Sequence, residues 1–230
     1  MFFDQLGARP TAEAAAERRD RDAFDTYCDY LLVIDLDRSD EAPFVAGTNR
    51  LLHRSVAETN TGFCSAGEFD RGALLAKPGE VAELGRPCVH SDCRSGAVMQ
   101  LLWRGIAEYL KIYDIAFMFG CSSLHGTDPD ALMLALSYLH YFQLAPRDFR
   151  ARAADHRRIA VDRIPLTRLD QTAARAMLPP LIKGYLRVGA FVGNGAVIDF
   201  GFNTTDVCII VPTGRITGKY HRYYKPCGTP

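Results

Sequence analysis

Two charged residues interrupt an otherwise apolar segment, and they are the first candidates for chemistry. Residues 81–89 have the sequence VAELGRPCV, with Glu83 and Arg86 among valine, leucine and cysteine. Charged side chains are rarely buried without a partner, so both need an explanation. Glu83 could deprotonate an attacking amine, directly or through a water. It could equally form an internal ion pair with Arg50 or Arg86, since structural ion pairs also perturb carboxylates. The residues alone leave both interpretations open.

The loop HSDCRSG at 90–96 is a second candidate, because it joins this predicted strand to a predicted helix. The first N–H groups of a helix have no partner within the helix, so such a junction can bind an anion. Arg94, Ser95 and Gly96 stand where the loop meets the helix. Glycine and basic residues are common at such junctions. On these residues alone, a plain turn with a solvated Arg94 is the favoured interpretation.

Two other sets of residues could contact a metal ion or a substrate. Cys88, His90 and Cys93 lack the second pair of ligands that marks a zinc signature, so no metal site is predicted. Asp206 stands just before a predicted late strand. It is either a charge on an edge strand or a contact to a cationic substrate.

The elements that must position these residues alternate between strand and helix. Apolar runs predict strands at 30–36, 43–52, 81–89, 115–123, 195–200 and 207–212, the first two joined as a hairpin. Helical spacing predicts helices over 11–30, 98–113, 130–143 and part of 178–190. Asp128 and Pro129 predict an N-cap and a first helical residue. Residues 53–80, rich in glycine, are predicted to be an irregular loop region. Together these patterns predict a mixed α/β domain around one sheet.

Composition limits the class of protein. The chain has 230 residues, 48% of them hydrophobic, with 27 basic and 27 acidic residues. A net charge of zero argues against a broad surface for nucleic acid. Its apolar runs are far shorter than the roughly 20 residues of a membrane helix. The seven cysteines do not form the even, closely spaced pattern of a disulfide scaffold, which indicates a reducing cytoplasm.

Four long blocks resemble a known family. They are ELGRPCVHSDCRSGAVMQLLWRG (83–105), MFGCSSLHGTDPDA (118–131), LPPLIKGYLRVGAFVGNGAVID (178–199) and FNTTDVCII (202–210). In this order they resemble the bacterial ornithine-lipid N-acyltransferases, whose fold is of the GNAT (GCN5-related N-acyltransferase) type. The resemblance extends from about residue 2 to about residue 224. Long-chain N-acyl amino acid synthases belong to the same broad group, and acyl-homoserine lactone synthases are more distant relatives.

The resemblance implies an enzyme that transfers a 3-hydroxy fatty acyl group to the α-amine of ornithine, giving lyso-ornithine lipid. The implied donor is the 4'-phosphopantetheine thioester of acyl carrier protein, with no bound cofactor. The alternatives are another amino acid acceptor, or a non-catalytic module that binds an acyl group or a carrier protein. The expected partners are acyl carrier protein and ornithine, without nucleic acid. The expected location is cytoplasmic, with at most peripheral contact to the inner membrane.

The resemblance also assigns roles to residues. The acyl-homoserine lactone synthases share an arginine in an earlier strand and a Glu-x-x-Arg strand, which match Arg50, Glu83 and Arg86. Glu83 is then the expected base, and the two arginines are candidates for the acceptor's carboxylate, because a guanidinium matches it bidentately. The donor is expected to lie along the strand and at the helix N-terminus, against Cys88, Val89, Arg94, Ser95, Gly96, Ala97 and Val98.

The sequence departs from the family pattern at two places, and each departure leads to a prediction, one about the acyl donor and one about the N-terminal segment. In the phosphate loop of acetyl-CoA-dependent relatives, Gly stands at the position of Ala97, and Gly or Ala stands at the position of Met99. A donor with one phosphate, on a carrier protein, is therefore favoured over coenzyme A. The family also opens with a strand and a helix before the segment matching Phe2, so about forty residues are expected to be missing from this single domain of residues 1–230.

The expected consequence is a first strand at 30–36 with one unpaired edge, and exposed apolar residues such as Leu32 and Ile34. Residues 225–230 are expected to be a tail.

Overall fold

The computed structural model describes residues 7–10, 12–17, 19–38, 42–94 and 96–216. The strands are β1 (Asp29–Asp35), β2 (Phe44–His53), β3 (Phe69–Asp70), β4 (Glu80–Val89), β5 (Ile115–His125), β6 (Arg152–Ala153), β7 (Arg158–Ile159), β8 (Phe191–Val192), β9 (Ala196–Asp199) and β10 (Thr204–Pro212). The helices with described bounds are α1 (Ala12–Glu17), α2 (Arg54–Thr59), α3 (Gly72–Leu75), α4 (Ala97–Ile112), α5 (Pro129–Gln143), α6 (Gln171–Met177) and α7 (Pro180–Arg187).

One mixed sheet organises the molecule. Its order is β1-β2-β4-β5-β10-β9-β7, with β8 paired to β10, while β3 and β6 form a separate pair. β4 and β5 run parallel, and the other ladders of the sheet are antiparallel. A parallel pair needs a crossover, and α4 supplies it between β4 and β5. The mixed sheet with helices packed on it confirms the predicted fold class.

β4 and β5 pair only over their first halves. The ladder runs from Glu80 opposite Ile115 to Glu83 opposite Phe119, whereas the pairing of β4 with β2 continues to Val89. At the last contact, a Cβ on Gly120 would lie 2.2 Å from the backbone oxygen of Leu84. Glycine therefore allows the strands to meet at this point, beyond which they separate.

A bulge bends β4 just after this point. Thr48 lies opposite Cys88 and Arg50 opposite Gly85, so β4 has one more residue than β2 between these pairs. Arg86 lies in the bulge with a φ of +52°, a conformation that is uncommon for a residue with a side chain. Bulges of this kind redirect side chains near functional sites. Here the bulge changes the direction of β4 next to Glu83.

The two faces of the sheet are covered differently. On the helix face, Trp103 of α4, Leu136 of α5 and Ile182 of α7 pack over strand residues such as Leu84 and Met118. The opposite face, called the loop face here, is covered largely by the connection between β2 and β4. Its core contains Leu52, Phe63, Phe69, Leu74 and Phe119. Each large apolar side chain buried in this way stabilises the fold by about 1.5–3 kcal/mol.

Most predicted elements are confirmed, with two differences. Residues 11–30 do not form one helix: α1 ends at Glu17 and a separate 3-10 turn spans Ala23–Thr26. The Asp22 side chain accepts a hydrogen bond from the Phe24 N–H and starts this new turn, a competition with helix propagation that is typical of aspartate. Residues 53–80, predicted to be irregular, contain α2, β3 and α3, which are too short to show a period.

β1 lies at the end of the sheet order, as predicted. Leu32 and Ile34 are 46% and 42% exposed. The described residues preceding α1 do not pair with β1; instead the Arg9 N–H donates to the Gly201 carbonyl at 2.7 Å. Residues 1–6 and the expected tail at 225–230 lie outside the described residues. Among the described helices, none is long and apolar enough to cross a membrane.

Candidate active site

Glu83 lies on the loop face, at the point where β4 and β5 separate. It stands opposite Leu52 on one side and Phe119 on the other, and only 4% of it is exposed. Its carboxylate accepts hydrogen bonds from the backbone N–H groups of Cys64, at 2.5 Å, and Ser65, at 2.9 Å. These two bonds hold the carboxylate in one orientation. A carboxylate has about four acceptor positions, so it can still accept a proton from an amine or a water.

Arg50 is buried on the same face but is paired elsewhere. Its Nη1 donates to Asp22 Oδ1 at 2.7 Å and to Asp25 Oδ1 at 3.0 Å, and its Nη2 contacts Cys64 Sγ at 3.2 Å. Burial alone would lower the pKa of Arg50, but the hydrogen bond to Asp22 and other neighbours raise it above its usual value. Arg50 is therefore a permanent cation beside the loop that holds Glu83.

Arg86 also pairs with aspartates. It bonds to Asp20, and its Nη2 donates to Asp22 at 3.1 Å, while its guanidinium lies 4.8 Å from the centre of the Phe202 ring. The Asp22 carboxylate thus links Arg50 to Arg86. The described ion pairs of both arginines go to these aspartates, so the suggested internal pair with Glu83 is not what the structure contains. Their role toward the acceptor's carboxylate stays a prediction.

An apolar pocket opens on the helix-face side of the separating strands. Its lining consists of Leu84, Met118, Phe119, Gly120, Cys121, Tyr185, Ile209 and Val211. Leu84 and Gly120 belong to the last contact of the two strands, so the pocket begins where their ladder ends. Its free space amounts to about one water molecule, so the pocket marks the start of the gap between the two strands. It is called the strand pocket below.

The predicted donor residues flank the end of β4 and the start of α4. β4 ends at Val89, and α4 begins at Ala97 after Gly96, whose φ of +90° is left-handed. Burial raises the pKa of the Cys88 thiol, and the nearby Arg94 partly opposes this. The structure thus brings Cys88 and Arg94 close to a helix N-terminus with free N–H groups. Ser95 lies outside the described residues.

The thiols near the site are in their neutral form. Burial and the Glu83 carboxylate raise the pKa of Cys64, and burial raises that of Cys121 well above its usual value. A thiol is a weak nucleophile compared with its thiolate. The arrangement therefore favours direct attack by an amine over transfer through cysteine.

Asp206 is not an edge-strand charge, because β10 lies between β5 and β9 in the sheet. It pairs with Ser123 of β5 and with Val197 of β9 and is 6% exposed. Among the described residues, three carboxylates come within 4.8 Å of one another, those of Glu68, Asp199 and Asp206. They form the acidic cluster referred to below. Cys88, His90 and Cys93 are not brought together in this way.

Sequence reasoning missed the residues between β2 and β4 that surround Glu83. The Arg71 Nη1 donates to Ser65 Oγ at 3.0 Å, and its guanidinium stacks near the rings of Phe63 and Phe119. Glu68 belongs to the same connection. Glycines and short elements hide any periodicity there, so the one available signal was an aromatic and charged composition in a long loop.

Comparisons with known proteins agree with this architecture. Residues 1–104 match the model of the "Acetyltransferase (GNAT) domain" family. The chain is 45% identical over 227 residues to an L-ornithine N(alpha)-acyltransferase of Brucella abortus, covering 97% of this chain and 81% of that protein. It is 42% identical to one of Agrobacterium fabrum, covering 97% and 78%.

Among solved structures, a CoA-dependent acyl-homoserine lactone synthase, MesI, is 14% identical, with a TM-score of 0.46, over 94% of this chain and 83% of that one. Both curated relatives align with nearly the whole of this chain and with more than three quarters of their own length. The chain belongs to the L-ornithine N(alpha)-acyltransferase family.

Proposed function

We propose that this protein transfers a fatty acyl group from the 4'-phosphopantetheine thioester of acyl carrier protein to the α-amine of ornithine. The observation that carries the proposal is the position of Glu83. It is a buried carboxylate, oriented by two backbone N–H groups, where β4 and β5 separate beside the apolar strand pocket. The names of the curated relatives support ornithine as the acceptor.

The reaction needs one base and one oxyanion site. The thioester lies between the separated strands, with its acyl chain toward the strand pocket and its phosphate toward Arg94 and the α4 N-terminus. The acceptor's nitrogen forms the new C–N bond while Glu83 takes the proton that it loses. Backbone N–H groups of β4 beyond Glu83, which do not pair with β5, stabilise the oxyanion. The C–S bond then breaks, and the thiol leaves with a proton.

The product establishes whether the chain is an enzyme or a binding module. Purified protein is incubated with 3-hydroxyacyl carrier protein and ornithine, and thiol release and product mass are followed. We expect one amide per thiol released, and no product when the α-amine is blocked. Binding of the carrier protein without thiol release would show a non-catalytic module.

The donor is tested by comparing two thioesters of the same acyl chain. Ala97 and Met99 replace small residues of a pyrophosphate loop, so coenzyme A should gain little from its additional phosphates. We expect kcat/KM to be at least about tenfold higher for acyl carrier protein than for coenzyme A, a difference of about 1.4 kcal/mol. The acyl-pantetheine thioester, which lacks both phosphate and protein, is the control. Equal kcat/KM values for the first two donors would contradict this choice of donor.

A further inference from the structure

The acidic cluster lies on the same face of the sheet as Glu83, a short distance along β5. Glu83 stands opposite Phe119. Two residues on, Cys121 donates its S–H to Glu68 Oε2 at 3.0 Å, and two further on Ser123 pairs with Asp206. At about 3.3 Å per residue, the step from Phe119 to Cys121 is roughly 7 Å. The step from Phe119 to Ser123 is about twice as long, so a small molecule with its amine at Glu83 reaches the Glu68 end of the cluster first. The Glu83 charge also contributes to raising the pKa of Glu68, which places these two carboxylates near each other.

The cluster has more negative charge than its neighbours balance. Among the described residues, Glu68 forms an ion pair with one cation, Arg157, whose Nη1 lies 3.6 Å from Glu68 Oε1. Asp199 Oδ1 accepts from the N–H groups of Gly201 and Phe202, at 2.7 and 3.0 Å. These contacts leave one arginine against three carboxylates.

Asp206 supplies the independent sign of a missing ligand. It is 94% buried, and its Oδ1 has no hydrogen-bond partner among the described residues. A buried acceptor without a donor costs about 1–3 kcal/mol, more for a charged group. Burial raises the pKa of Asp206 to about 6 and also raises that of Glu68. A cationic donor placed between these carboxylates would satisfy Oδ1 and offset the crowding of negative charge.

The contacts favour an ammonium group over a metal ion. Glu68 already accepts from a thiol and faces Arg157, and one oxygen of Asp199 is occupied by backbone N–H groups. Calcium would need six to eight oxygen ligands, whereas an ammonium needs at most three acceptors. In ornithine the two nitrogens are separated by roughly 6 Å when the side chain is extended, from ordinary bond lengths. This is similar to the step along β5 from Phe119, the residue opposite Glu83, to Cys121, the residue bonded to Glu68.

We propose that Glu68 and Asp206, with Asp199, bind the side-chain ammonium of the acceptor amino acid and so select a cationic acceptor. The inference rests on the proposed function, since it assigns the far end of the substrate whose α-amine Glu83 serves. It gives the cluster a role in specificity that is separate from the transfer step.

The test compares ornithine with norvaline, which has the same carbon chain without the second amine. The variants are Asp206→Asn and Glu68→Gln, and Asp155→Asn, an exposed acid, is the matched control. We expect each cluster variant to lower kcat/KM for ornithine by roughly 10- to 100-fold. We expect activity with norvaline, weak in the unaltered protein, to stay the same, which also shows that the variants are folded.

Other results would distinguish an error in the ammonium subsite from an error in the proposed function. If the unaltered protein acylates ornithine and norvaline equally, or if both variants lose both acceptors equally, the subsite is wrong while the proposed function stands. If neither amino acid is acylated with any thioester, the proposed function itself fails. Calcium or magnesium binding measured by calorimetry, abolished in Asp206→Asn and without effect of ornithine, would replace the ammonium site with a metal site.

Discussion

At the residue scale, the chemistry of Glu83 depends on donors that its own strand does not supply. The two N–H groups come from Cys64 and Ser65, in the connection between β2 and β4. Charge-assisted bonds of this kind are shorter and stronger than neutral ones. They orient the carboxylate, while the charges of Arg50 and Arg86 are balanced by Asp20, Asp22 and Asp25.

Replacing this carboxylate with an amide separates catalysis from stability. In Glu83→Gln the amide oxygen can keep one N–H bond, but the NH₂ group faces the other donor. We expect turnover to fall by roughly 10²–10⁴-fold, as for removal of a general base. The free energy of unfolding should fall by about 1–3 kcal/mol, the cost of one unsatisfied buried group. Steady-state kinetics and urea titration measure the two effects.

The control for this variant is the substitution Glu80→Gln at the start of the same strand. Glu80 accepts a hydrogen bond from the Arg54 N–H at 2.8 Å, outside the proposed site. Both of its backbone N–H bonds go to Oε1, so the amide oxygen of Gln can keep them, and the variant should keep its turnover and most of its stability. A Glu83→Gln protein that is strongly destabilised but turns over normally would reject the catalytic role.

At the element scale, the separation of β4 from β5 depends on one close approach. Gly120 is the residue where a Cβ would lie 2.2 Å from a backbone oxygen, a contact that neither strand can avoid by rotating a side chain. The strands would have to move apart at the end of their ladder. Both the strand pocket and the position of Glu83 would change with them.

We therefore expect Gly120→Ala to lower the free energy of unfolding by about 1–3 kcal/mol, the usual cost of overpacking. Turnover should fall as well, because the base and the thioester lose their relative position. Gly85→Ala is the matched control for stability, because this glycine lies in β4 and a Cβ there would meet nothing within 4 Å. Its kcat is not compared, since this part of β4 belongs to the proposed oxyanion site. Thermal unfolding of the two variants tests the contact, and equal unfolding temperatures would show that it is unimportant.

At the scale of the whole molecule, the buried acidic cluster links stability to pH. Burial raises the pKa of Asp206 from 3.8 to about 6, with Glu68 and Asp199 adding to the rise and Ser123 and Thr204 partly opposing it. Between these two values the folded protein holds a proton that the unfolded chain has lost. The contribution of Asp206 to the free energy of unfolding therefore falls as pH rises through this range, and levels off above about pH 6.

The size of this effect can be measured with one substitution. A shift of about two units corresponds to a loss on the order of 3 kcal/mol between pH 4 and pH 7. In Asp206→Asn this contribution disappears, so the loss should be smaller and the variant relatively more stable at pH 7. Urea unfolding at both pH values tests this. Parallel curves for the two proteins would show that Asp206 is not the group that titrates. The ion pair between Arg157 and Glu68 is present in both proteins. Its contribution to the free energy of unfolding therefore does not affect the difference between them.

The sequence by itself determined the elements with strong local patterns and the family. The strand at 81–89, the helix that follows its loop, the strand beginning at 115 and the Asp128 cap were all predicted close to where they lie. Their signals are local, since apolar periodicity and capping depend on neighbours within a few residues. Glu83 was also predictable as a candidate site residue, because a carboxylate within an apolar strand can be recognised from the sequence alone.

Only the tertiary structure decided which groups surround that carboxylate. Ser65 bonds to Glu83 because the β2–β4 connection folds over the same face, and Asp206 meets Glu68 because β10 lies beside β5. Such contacts leave no period in the sequence, and the turn that Asp22 begins was predicted to be part of one helix over 11–30. Arg50 was therefore predicted to meet Glu83 or the acceptor, whereas the fold gives it two aspartates. A charge shows in the sequence, but its partner depends on which segments pack together.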